Sequence, residues 1–72
     1  MPKNPNHVME RARRLFDRSG LSLEDLGQRM GYAGDGARKS AWQFLNKTAD
    51  PRLSMLARFA EAINVTLVDL VK

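Results

Sequence analysis

Leu21-Ser22-Leu23-Glu24-Asp25-Leu26-Gly27-Gln28-Arg29-Met30-Gly31 and, after a short glycine-bearing turn, Asp35-Gly36-Ala37-Arg38-Lys39-Ser40-Ala41-Trp42-Gln43-Phe44-Leu45-Asn46-Lys47 hold two helices in close succession. In the first of these, Ser22 is placed as N-cap, and Leu21 and Leu26 are spaced as a hydrophobic staple. Leu23, Leu26 and Met30 fall inside and Gly31 supplies the left-handed stop, giving a helix of about eight residues. Asp35 offers the cap of the next helix. Its apolar face reads as Ala41, Trp42 and Leu45 with the stem of Arg38 beside them, while Lys39, Ser40, Gln43 and Lys47 fall on the opposite face and Phe44 sits at the edge.

Outward from this pair the chain continues as helices. Asn4 and Pro5 suit an N-cap and first helical position, and Val8, Ala12, Leu15 and Phe16 recur at helical spacing until Gly20. Residues 1–4 read as a loose, flexible N-terminal arm. After Asp50-Pro51, Leu53, Leu56, Ala60 and Ile63 form one stripe that Phe59 widens, ending at Asn64, a residue that tolerates the left-handed region. Thr66 caps a final turn or two containing Leu67, Leu70 and Val71. No segment alternates with period two between turn signals, so the expected fold is an all-α bundle of five short helices in a single domain over residues 1–72.

At 72 residues with 43% hydrophobic content, the chain is long enough for one small core and apolar enough to fold. Cysteine is absent, and His7 is the lone histidine, which excludes disulfides, thiolate chemistry and cysteine-ligated zinc; no metal site or cofactor is expected. No apolar run approaches the roughly 20 residues that span a bilayer, so a soluble, cytoplasmic protein without membrane partners is expected. The formal net charge is +4, unevenly distributed. Residues 36–52 carry Arg38, Lys39, Lys47 and Arg52 against Asp50 alone, whereas residues 21–35 carry Glu24, Asp25 and Asp35 against Arg29. A modest total thus becomes a basic third helix behind an acidic second one.

On Gly20-Leu21-Ser22, Leu26-Gly27, Met30-Gly31-Tyr32, Trp42 and Leu45, Pro51, Leu53 to Ile63 and Val65-Thr66-Leu67 to Leu70, the chain resembles the Cro/CI-like (XRE) helix-turn-helix family of lambda-repressor-like DNA-binding domains. The resemblance implies a five-helix domain whose third helix lies in the major groove of double-stranded DNA. It also implies a homodimer on a palindromic operator and a role as a sequence-specific transcriptional regulator. Three departures accompany it. The turn between Gly31 and Trp42 is lengthened by several residues. Leu23 stands where the family commonly has a Gln that touches phosphate. Phe16 and Asn46 occupy the positions of a buried Arg–Glu pair, and the joint loss of both partners avoids stranding a charge, which costs about 3–5 kcal/mol.

Under that resemblance, Arg38, Lys39, Ser40 and Gln43 are the expected base readers, since Arg and Lys donate to guanine and Gln pairs with adenine. Ser22, Lys47 and Arg52 are the expected phosphate contacts, Ser22 through the helix N-terminus. Arg11, Arg14 and Arg18 form a stripe on the first helix, expected to lie in solvent or pair with Glu10, Asp17 or Glu61. Val68 and Val71 are left over by the core and suit a dimer contact. The alternative is a protein-interaction module on the same scaffold, of antitoxin or adaptor type, whose basic face meets an acidic protein partner. An enzyme is not expected: there is no nucleophile–His–acid set, and Gly31, Gly34 and Gly36 lack the strand-to-helix context of a phosphate-binding loop and a Lys-Ser/Thr placed directly after the last glycine.

Overall fold

The computed structural model describes residues 5–71, with side chains from residue 7 onward; the N-terminal arm and the Asn4 cap lie outside the described residues. The described chain is all-helical: α1 (Pro5–Ser19), α2 (Leu23–Arg29), α3 (Gly36–Lys47), α4 (Leu53–Ala62) and α5 (Leu67–Val71). None of these helices is long and apolar enough to cross a membrane.

Local chemistry fixes most helix ends. At the start of α2 the Asp25 backbone N–H donates to Ser22 Oγ (3.0 Å), with Glu24 and Asp25 at the positive end of the helix dipole. The other end closes in a full Schellman motif: Gly31 has φ +101°, its N–H donates to the Gln28 carbonyl (3.1 Å), and Tyr32 N–H donates to the Gly27 carbonyl (3.0 Å). The end of α4 repeats the motif. Asn64 takes φ +61°, its N–H reaches the Glu61 carbonyl (3.2 Å), and Val65 N–H reaches the Ala60 carbonyl (2.8 Å). A reciprocal capping box opens α5, in which Asp69 N–H donates to Thr66 Oγ1 (3.2 Å) and Thr66 N–H to Asp69 Oδ2 (2.9 Å).

The most extensive helix–helix contact joins α2 and α3. Its centre is Gly27. A Cβ placed there would stand 2.1 Å from the Ala37 carbonyl oxygen and 2.6 Å from its carbon, so the two backbones touch where no side chain fits. Around this contact one core collects Met9 and Ala12 from α1, Leu26 from α2 and Met30 at its C-cap, Ala41, Phe44 and Leu45 from α3, Leu56, Phe59 and Ala60 from α4, and Leu70 from α5. Phe44 and Phe59 meet with ring centroids 5.5 Å apart in a tilted pair.

Several expectations are corrected here. Trp42 is 44% exposed rather than core, and Phe44, expected at the edge, is buried to 4%. The cause is the rotation of α3: with Ala37 seated on Gly27, the buried row runs 37–41–44–45, and Trp42 falls outside it. Leu53, expected in the α4 stripe, is 70% exposed because the first residue of that helix extends past the core. Asp35 occupies the N-cap position of α3 but makes no side-chain cap bond, its αR backbone (φ −67°, ψ −18°) being unlike the extended conformation that aims a capping side chain. The turn is held instead by Ala37 N–H donating to the Gly34 carbonyl (3.3 Å). Leu23, expected inside, is half-buried at the edge of the core.

Gly27→Ala gains about 1 kcal/mol of helix propensity, but its methyl group meets immobile backbone, an overpacking cost at or above the top of the usual range of about 1–3 kcal/mol. A net loss of about 2 kcal/mol is expected in urea unfolding. Gly36→Ala, where a Cβ enters open space and φ is not positive, is expected to be neutral or stabilising by about 0.5 kcal/mol.

Candidate nucleic-acid interface

Because Ala37, Ala41, Phe44 and Leu45 face inward, α3 turns Lys39, Gln43, Asn46 and Lys47 to solvent. Arg38 is also exposed, and Ser40 is half-buried on the flank. No acidic side chain lies on this helix. The outward row combines two ammonium groups, each with three donors, and two carboxamides, each with donors and an acceptor. It is equipped to bind anions and to pair with amide-like edges.

Apart from Ser22, the expected site residues divide between two concavities to which that row contributes. The larger, about 610 Å³, lies between α3 and the segment leading into α4 and brings together Ser40, Gln43, Lys47 and Arg52, with Tyr32 on its wall and Asp50 as its one acid. The smaller, about 350 Å³, is lined by Leu23, Asp35, Arg38, Lys39 and Trp42. Two of the expected base readers therefore share a groove with the expected phosphate contacts Lys47 and Arg52. The other two, Arg38 and Lys39, flank the exposed tryptophan. Lys47 links the two concavities, its Nζ standing 5.8 Å from the centroid of the Trp42 ring.

Ser22 stands apart from both concavities, at the exposed start of α2. Its Oγ is engaged in capping, so any phosphate there meets backbone N–H groups, with Glu24 and Asp25 in the same turn opposing it. On α1, Arg14 and Arg18 are exposed and Arg11 is half-buried.

Two arginines that sequence reasoning did not single out hold the helices in place. Arg13 Nη1 on α1 donates to the Leu45 carbonyl near the end of α3 (2.7 Å), and Arg29 Nη1 on α2 donates to the Ala62 carbonyl at the end of α4 (3.3 Å). Both guanidinium groups sit at the negative ends of helix dipoles, where the last carbonyls lack helical partners. Phe16 packs against the core and Asn46 Nδ2 donates to its own helix at the Trp42 carbonyl (3.0 Å), while the hydrogen bond from α1 to α3 comes from Arg13. The only sequence signal for Arg13 is its place next to Ala12 on the buried side of α1.

Arg13→Met keeps an apolar stem and removes the donor. It is expected to cost about 1–2 kcal/mol and to raise amide exchange in the last turn of α3 more than in α2, as read by hydrogen-exchange NMR. No protein-family model, curated protein or solved structure matches the chain.

Proposed function

We propose that the chain is a sequence-specific DNA-binding transcriptional regulator of the lambda-repressor-like, Cro/CI-like type, with α2 and α3 as its helix-turn-helix and α3 as the reading helix. The observation that carries this reading is the outward face of α3, where Lys39, Gln43 and Lys47 are exposed on a helix whose rotation is fixed by the Gly27–Ala37 backbone contact. A rigid helix presenting cations and a carboxamide suits the major groove, where ammonium groups meet guanine O6/N7 or phosphate and glutamine pairs with adenine. Arg52, beyond the end of α3, extends the positive surface toward the backbone of the duplex.

In this reading the long turn has a structural counterpart: α3 begins at Gly36, and its first turn seats Ala37 on Gly27 and carries Arg38 and Lys39. These two side chains enter the groove ahead of Gln43. Dimerisation through the exposed Val68 (57%) and Val71 (48%) of α5 would present two such helices to successive half-sites, about 34–36 Å apart.

Selection of bound duplexes from a random pool is expected to enrich a palindrome. Binding to the selected duplex should weaken with salt at a slope of about −0.9 per phosphate contact, or about −4 to −5 per subunit for about five contacts. Lys39→Glu is expected to reduce affinity at least tenfold, about 1.4 kcal/mol, or more, and Arg58→Glu, an equal charge change on the exposed side of α4, far less. Equal effects of the two substitutions would remove α3 from the reading role. An absence of salt-dependent duplex binding would favour the protein-interaction module in its place.

A further inference from the structure

We infer that Trp42 and Leu23 form a seat for the C5-methyl group of a thymine, making Trp42 a specificity-determining residue; this rests on the DNA-binding reading and adds the base that the smaller concavity selects. Four observations carry it. Trp42 is the largest side chain in the protein and is left 44% exposed, on the helix that bears the outward cationic row. The concavity it lines has an apolar part, Trp42 and Leu23, and a charged rim of Arg38, Lys39 and Asp35. Its two apolar members come from different helices, α3 and α2, whose separation is set by the backbone contact at Gly27, so the seat exists before any ligand arrives. Lys39 belongs both to this rim and to the outward row with Gln43, which makes the seat continuous with the base-reading surface.

The chemistry distinguishes a methyl group from other occupants. Lys47 Nζ lies over the indole ring, so a base stacking on that face would have to displace a cation–π contact and would also have to leave the duplex stack. A thymine methyl requires neither: it projects into the major groove of an intact duplex and is the one apolar group presented there. Arg38 and Lys39 complement the phosphates or a neighbouring guanine, and Asp35 can accept from the amino group of a neighbouring cytosine. An acidic protein partner would also meet the two cations, but it would leave the exposed amide and ammonium row of α3 without a role in the same contact.

The test uses a duplex recovered from the random pool, with each thymine replaced in turn by deoxyuridine, which removes only the C5-methyl. One thymine in each half-site is expected to weaken binding about three- to five-fold on replacement, the worth of one buried methyl group. Because Trp42 is the only tryptophan, its emission reports this site alone, and it is expected to change on saturation with duplex. Trp42→Ala should bind thymine and uracil duplexes equally while keeping its helical circular dichroism, and Leu23→Gln should reduce the discrimination. A uracil penalty that persists in Trp42→Ala, the lack of any sensitive thymine, or unchanged Trp42 emission on a bound duplex would overturn the seat and leave the DNA reading standing. Failure to recover any duplex from the pool would overturn both.

Discussion

The contact of Gly27 with the backbone of Ala37 is the constraint on which the rest of the molecule depends. Seven residues of α2 are too few to hold a helix in water, since isolated helices below about 12–15 residues are marginal. They persist because α2 lies directly on α3, with no side chain between them at the point of closest approach. The same contact determines the rotation of α3. Placing residue 37 inward places 41, 44 and 45 inward and leaves 39, 42, 43 and 46 outside, so a position with no side chain decides which side chains the protein presents.

A chain of this size buries only about 60–65% of its unfolded surface, and hydrophobic packing leaves little margin. The helix ends are accordingly well satisfied. Two Schellman motifs, one serine cap and one capping box pair backbone groups that would otherwise lack helical partners, and Arg13 and Arg29 supply donors to carbonyls near the ends of α3 and α4. These arginines also cross between helices: α1 is tied to α3 and α2 to α4. Each tie fixes an angle as well as satisfying a carbonyl, and the angle of α3 is the one on which any reading of a ligand depends.

The number and order of the helices, and the ends set by Ser22, Gly31, Asn64 and Thr66, were legible because they are written in residues with strong local preferences. Ser22, Gly31, Asn64 and Thr66 act within three or four positions of themselves, and the structure uses each as its chemistry suggests. The face of α3 was not legible in the same way. Hydrophobic periodicity groups Trp42 with Ala41 and Leu45 by helical spacing, and on that criterion Trp42 belongs inside. What decides the matter is non-local: Gly27 has no hydrophobicity to weigh, and its effect on residues 42 and 44 passes through a contact between two helices. Arg13 escaped for a related reason, because its partner is a backbone carbonyl, which has no sequence signature. Of the expected site, Ser40, Gln43, Lys47 and Arg52 do share one groove, while Arg38 and Lys39 line the other concavity, beside the tryptophan.

The exchange of Trp42 for Phe44 bears on more than packing. Single exposed leucines or valines are ordinary on protein surfaces, as Leu53 is here, but a tryptophan carries a large apolar area whose burial would benefit a core this small. Phe44 fills the inward position and pairs with Phe59, so the core is complete without it. The indole instead lies under an ammonium group and lines a concavity with Leu23 and Arg38. That position is amphipathic, with cations beside an exposed apolar ring, and on the proposed DNA-binding reading it suits a polyanion that bears apolar groups at intervals. The net charge of +4 says nothing about such an arrangement. It arises only when the rotation of α3 sets the cations and the tryptophan side by side.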